Sequence, residues 1–165
     1  MAQSAPLPEG KLKAHILAVL AENRVMTVAT VRPDGWPQAT MVGYVHDALT
    51  LYFAVARTSQ KFANIERDPR ISVALGWDGA KRIRGLSMAA RAEVVTGPTE
   101  VQRVNEVLQA RYPGQTVFAP RETSSVLLRA KPTIISLIDL DKAPGQPERL
   151  WVGVEAQIHR LKEGT

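Results

Sequence analysis

Arg57, Thr58, Ser59, Gln60 and Lys61 stand in a row where the apolar run LYFAV ends and a short helical stretch, residues 59–67, begins. A helix start carries partial positive charge, so cations placed there are locally disfavoured unless something negative sits among them. The backbone N–H groups of a helix start, hydroxyls from Thr58 and Ser59, and charges from Arg57 and Lys61 together make a cradle for an anion such as a phosphate. The same residues also fit a plainer role, in which Thr58 or Ser59 caps the helix and the cations are solvated. Local sequence leaves both readings open.

Other chemistries find little support. There is no G-x-G-x-x-G, no phosphate loop ending in Lys-Ser/Thr, and no G-x-S-x-G elbow. His15, His46 and His159 are scattered singly, which does not suggest a metal site. No carboxylate pair is spaced as a general acid and base, and Ser124–Ser125 reads as a turn. With no cysteine, disulfides, thiolate metal sites and a cysteine nucleophile are excluded. Lys81, Arg82 and Arg84 form a basic tip between two apolar runs, expected to be solvated. Nucleic-acid binding through that tip would want interleaved aromatics, yet aromatics are only 5% of the chain.

The 165 residues suffice for one domain with a real core, and 45% hydrophobic against 22% charged residues reads as globular. A net charge of +5 permits an anionic partner without selecting one. No apolar run approaches the ~18 residues of a membrane span. The start, MAQSAPLPEGK, does not resemble a secretory signal, so a cytoplasmic protein is expected.

The elements that must position the cradle follow from periodicity. Leu12, Ile16, Val19 and Leu20 recur at helical spacing over residues 10–23, after an N-terminal stretch, 1–9, read as flexible. Residues 24–32 read as a strand, Pro33-Asp34-Gly35 as a turn, and residues 39–46 and 49–55 as two further strands. Asp68-Pro69 stops the short helix. Strands are predicted at 70–77, 86–96 and 133–140, with a helix over 98–112 whose Thr99 and Gln102 have capping-box spacing. Residues 116–131 are ambiguous, and 149–155 form a possible last strand. Six strands with short connections predict a mainly β, antiparallel barrel with flanking helices.

In this order, the stretches TVATVRPDGWPQATMVGYV, LYFAVARTSQKFANIERDPRISVAL, RAEVVTGPTE, RYPG and KPTIISLIDLDKAPG resemble the FMN-binding split-barrel family typified by pyridoxamine 5′-phosphate oxidase, in its general-stress-protein-like branch. The resemblance spans about residues 20–140. It implies a six-stranded antiparallel split β-barrel over residues 10–150 of a single domain, 1–165. It further implies FMN held through its phosphate by Ser59 and Lys61, with Arg57 and Thr58 beside them. Ala54 and Val55, and the backbone of Thr40, Met41 and Val42, would meet the ring system. Relatives are homodimers with the flavin at the subunit interface, where Trp151 would come from the second subunit. The implied activity is that of an FMN-dependent oxidoreductase acting on a small molecule, with no metal, nucleic acid or membrane partner. The alternatives are a non-catalytic flavin-binding or stress-response sensor and a deazaflavin-dependent reductase. Two departures separate the chain from true pyridoxamine phosphate oxidases. GLSMAARAEV carries few polar groups besides Arg91, and the ending QIHRLKEGT lacks a clear arginine-containing tail.

Overall fold

The computed structural model describes residues 5–6, 9–79, 82–115, 118, 124–139, 148–152 and 158–160. In chain order the elements are β1 (Ala5–Pro6), α1 (Glu9–Glu22), β2 (Val25–Val31), β3 (Pro37–Gly43), β4 (Val45–Asp47), β5 (Thr50–Ala56), α2 (Gln60–Arg67), β6 (Arg70–Gly79), β7 (Arg82–Val94), α3 (Pro98–Arg111), β8 (Ser125–Asp139), β9 (Glu148–Val152) and β10 (Ile158–Arg160). The expected split-barrel class holds, with more strands among the described residues than the six predicted.

All pairings are antiparallel. β3, β2, β6, β7 and β8 follow one another across the sheet. β5 then joins β8 along residues 125–130, and β4 joins β5. β9 takes the same edge of β8 farther along, at residues 134–137, and β10 and β1 follow it. The sheet curls until β5 approaches β3, and Val42 of β3 packs against the core that holds Phe53 and Val55 of β5. No ladder joins β3 to β5 among the described residues, so the barrel is split along this seam.

The β2–β3 turn forms as its sequence dictates. Gly35 takes φ +86, and its N–H donates to the Arg32 carbonyl at 2.9 Å. The single returning strand expected over 39–46 is instead two. β3 ends at Gly43, and Tyr44 turns inward, its hydroxyl donating to the Leu20 carbonyl at 2.8 Å. The chain then leaves β2 and pairs with β5.

The ambiguous 116–131 stretch also resolves in part, because Ser125 opens the 15-residue β8. The sequence predicts this strand only from residue 133, directly after Pro132. In the sheet that proline lies at a register shift, where Ala90 faces Pro132 and Ala89 faces Ile134, so Thr133 is the extra residue of a β-bulge. A bulge tolerates a residue that cannot donate to the ladder.

α1 seals the barrel with Leu12, Ile16, Val19 and Leu20, as its spacing predicted. α3 packs outside β4 and β5, where Val101 and Val104 meet Val45, Tyr52 and Leu127. The predicted capping box is not its start: Gly97 is the N-cap, without a side-chain bond, and Pro98 opens the helix. The basic tip is not simply solvated either. Arg84 is largely buried and reaches Glu22 of α1 at 3.4 Å. Lys81 and the side chain of Arg82 lie outside the described residues.

Gly76 and Gly85 face each other across β6 and β7. A Cβ on Gly76 would fall 2.8 Å from the Arg84 carbonyl oxygen and 3.2 Å from the Gly85 Cα, both backbone atoms that cannot swing aside. Gly76→Ala is therefore expected to cost about 1–3 kcal/mol by overpacking, or roughly 2–4 °C of Tm per kcal/mol in a chain of this size. Gly10→Ala, in α1 with nothing within 4 Å of the new Cβ, should hold or raise Tm in the same thermal unfolding series.

Candidate functional site

The row of hydroxyls and cations emerges from the end of β5 as predicted. The Arg57 N–H donates to the Ser124 carbonyl at 3.0 Å and the Ser59 N–H to the Ala56 carbonyl at 3.0 Å, which turns the chain sharply into α2. Ser59 is the N-cap of α2, and its Oγ accepts from the Phe62 N–H at 3.2 Å. The first-turn N–H groups of Gln60 and Lys61 have no acceptor within the helix. Phe62 and Ile65 anchor α2 in the barrel core. The Arg57 guanidinium lies over the Phe62 ring, 5.9 Å from its centroid, and Thr58 is exposed.

Lys61 is half-buried, and no ion pair or side-chain hydrogen bond engages it among the described residues. Burial alone pushes its ammonium below the ordinary lysine range. The surroundings of other cations differ. Arg129 is paired with Glu93 at 2.8 Å and Glu100 at 2.6 Å. Arg103 is paired with Asp47 at 3.1 Å. Arg70 forks onto Asp68, whose carboxyl is held well below the usual range by those hydrogen bonds.

β3 supplies the second part. Gln38, Thr40 and Val42 share its inner face, while Met41 points away and is 73% exposed. Thr40 Oγ1 is buried and has no hydrogen-bond partner. Such an orphaned hydroxyl inside a protein calls for an explanation, an absent ligand being one. The far edge of β3 is unpaired among the described residues, leaving backbone donors and acceptors along Thr40, Met41 and Val42. Ala54 and Val55 lie at the end of β5. The Val55 side chain is committed to the core, so only its backbone is available, whereas Ala54 lines a cavity.

That cavity, of about 590 Å³, opens between β5, the β3–β4 corner and the end of α3. Tyr44, Tyr52, Tyr112 and Phe118 line it, with Arg24 at its wall. Arg24 lies 4.7 Å and Arg111 5.2 Å from the Tyr112 ring centroid. Burial pushes the Tyr44 hydroxyl up to about 12, against the pull of nearby Arg111. Nothing in the sequence pointed to this grouping, because its members lie far apart along the chain.

Sequence reasoning also missed Asn64, the fully buried polar residue that ties α2 to the sheet. Its Nδ2 donates to Thr30 Oγ1 at 2.9 Å and to Gln38 Oε1 at 3.0 Å, and its Oδ1 accepts from Gln60 Nε2 at 2.9 Å. Lys61 and Thr40 are thereby brought to one region, since Asn64 lies one turn from the first and Gln38 two residues from the second. Trp151 is placed elsewhere along the sheet. It faces Ile134 and His159 in its own chain, and its side chain lies outside the described residues.

A curled antiparallel sheet, split at one seam, with an unpaired cation at a helix start beside an open strand edge, defines the class: a split β-barrel with a candidate anion site. The chain belongs to the pyridoxamine 5′-phosphate oxidase family, whose model matches residues 12–139. It is 33% identical over 67 residues to general stress protein 26 of Bacillus subtilis (strain 168), an alignment covering 41% of this chain and 47% of that protein. The chain thus aligns with about half the length of this curated relative. The crystal structure of general stress protein 26 from Bacillus anthracis str. Sterne superposes with a TM-score of 0.64 at 26% identity, over 85% of this chain and 98% of that one. The heme storage protein of Vibrio cholerae shares the fold at 19% identity, with a TM-score of 0.59 over 73% of this chain and 89% of that one.

An unpaired, desolvated ammonium destabilises the ligand-free fold, so Lys61→Met should raise the Tm of ligand-free protein at pH 7 by about 1–2 °C. The penalty acts while Lys61 is charged in the folded state and fades as pH rises through its lowered pKa. The gap between variant and wild type should therefore narrow at alkaline pH in a pH series of thermal melts.

Proposed function

We propose that this chain is an FMN-binding flavoprotein and an oxidoreductase of small molecules. The observation that carries the reading is Lys61, a half-buried ammonium without an anion, one residue into a helix capped by Ser59. The Ser59 hydroxyl spends a lone pair on the Phe62 N–H and keeps its proton to donate to a phosphate oxygen. The N–H groups of Gln60 and Lys61 add two more donors to the same place. Arg57 and Thr58 flank it. The orphaned Thr40 hydroxyl and the free edge of β3 at Met41 and Val42 suit the polar rim of a planar ring, with Ala54 and the Val55 backbone on the other side of the seam.

The bound flavin would supply the redox chemistry, so the protein needs no acid–base pair of its own. The aromatic cavity adjoining Ala54 is where a small substrate would lie, with Arg24 favouring an anionic group. A deazaflavin coenzyme with the same phosphate would use the same cradle, and a sensor would bind without turnover. Among the described residues, no histidine belongs to the cradle, the strand edge or the cavity lining.

A second copy of the chain is the proposed partner. Val25, Thr27, Ala29 and Val31 of β2 lie opposite Gly43, Met41, Ala39 and Pro37 of β3 on the outer face, an uncharged strip that continues through Ser72 and Ala74 of β6. Val31 and Met41 are 46% and 73% exposed there, and Trp36 at the turn is 70% exposed. An apolar strip of this kind marks an interface. Trp151 of the second subunit would approach the flavin across it. Ala39→Arg, which sets a charge in the middle of the strip, should shift the protein to monomer in light scattering.

Purified protein should be yellow, absorbing near about 450 nm, and should release FMN on denaturation. The double substitution Ser59→Ala, Lys61→Ala removes charge-assisted bonds of about 1.5–3 kcal/mol and should weaken FMN binding roughly 10- to 100-fold. Unchanged affinity would refute the cradle. Oxidation of reduced nicotinamide by the loaded protein distinguishes an enzyme from a sensor, and mass analysis of the released ligand separates FMN from a deazaflavin.

A further inference from the structure

We propose that Asn64 is a positioning residue that fixes the spacing between the phosphate cradle on α2 and the ring-binding edge of β3; the proposal rests on the FMN reading above. α2 has 8 residues, too few to be stable alone. Phe62 and Ile65 hold it against the core, but apolar burial is non-directional and sets depth better than register. Asn64 supplies the missing direction. Its side chain is fully buried, and three of its four hydrogen-bonding positions are used. Both amide protons go to the sheet, one to β2 at Thr30 and one to β3 at Gln38, and its oxygen accepts from Gln60 in the first turn of its own helix.

This arrangement crosses the seam where no backbone ladder runs. Gln60 is the residue between Ser59 and Lys61, so the network begins inside the cradle. It ends at Gln38, on the same face of β3 as Thr40 and two residues away. A flavin phosphate and a flavin ring are joined by a linker of fixed length. Their two binding regions reinforce each other only if their separation matches that linker. Asn64 is the residue placed to set the separation, while touching neither end of the ligand.

The test compares two ligands on the flavin-free full-length protein: FMN, and riboflavin, which has the ring and linker without the phosphate. Both are titrated by fluorescence against wild type, Asn64→Leu and Gln38→Leu. Wild type should prefer FMN by about 100-fold or more. Asn64→Leu should lose at least tenfold of that preference, with riboflavin affinity within about twofold of wild type. Equal weakening of both ligands, or an unchanged preference, overturns the role of Asn64. Should Asn64→Leu fail to fold, Gln38→Leu carries the test, because it cuts only the link to β3. The same selective loss of FMN supports the proposal, and a retained preference overturns it. Wild-type protein that binds neither ligand overturns the FMN reading itself, and the role of Asn64 with it.

Discussion

The whole architecture turns on β8, one strand that serves two neighbours on the same edge. It pairs with β7 along most of its length, with β5 along residues 125–130, and with β9 at residues 134–137. A strand shared in this way cannot remain in a flat sheet, because both neighbours need room on one side. The bulge at Thr133, next to Pro132, lies between the two pairings and bends the strand there. Bent at that point, the sheet brings β5 round toward β3 without supplying a ladder between them. The seam follows from that geometry. It leaves an unpaired strand edge, normally a liability, in a place where a helix and a ligand can cover it.

The charges show which parts of the molecule are complete within one chain. Around α3, Arg129, Glu93, Glu100, Arg103, Asp47 and Tyr52 satisfy one another. At the end of α1, Arg111 donates to the carbonyls of Leu20, Ala21 and Asn23 and lies against Tyr44 and Tyr112, so a cation meets the negative end of a helix. Beside the seam the pattern reverses. Lys61 has no anion, at the end of a helix that repels it, and Thr40 has a buried hydroxyl with nothing to bond. Lys61 and Thr40 thus lie in one region without a partner among the described residues, which is what the proposed anion and ring site would use.

Much of this was legible in the sequence, and its failures share a cause. Apolar periodicity found α1, β2, β5, β6 and α2 because each is decided by residues within one or two turns or pleats. The split of the returning strand at Tyr44 was not legible, since that residue turns inward to a carbonyl of α1, 24 residues away in sequence. β8 was cut short because proline is forbidden in a regular strand and allowed at a bulge, and a bulge is defined by the partner strand. The α3 cap was misplaced because Thr99 and Gln102 have suitable spacing, yet Gly97 and Pro98 set the backbone two residues earlier. The residues of the proposed cradle could be singled out because they are contiguous. Asn64 could not, because in sequence it is one polar residue of a polar helix, and only the fold shows it wholly buried.

Local sequence posed the cradle and the helix cap as rival accounts of the same residues; the structure shows the cap, and the cap is compatible with the proposed cradle. A serine hydroxyl has one proton and two lone pairs. Ser59 uses a lone pair to accept from the Phe62 N–H, and that bond fixes its rotamer. That bond does not use the proton, which stays available for donation at the helix start that also carries the N–H groups of Gln60 and Lys61. Capping is therefore what preorganises the donor, and a well-capped helix makes a better anion site than an uncapped one. The apparent misplacement of Lys61 follows from the same logic. A lysine at a helix start is poor for the helix and good for an anion already attracted there by the dipole, so the residue that weakens the empty fold is the one that binding would reward.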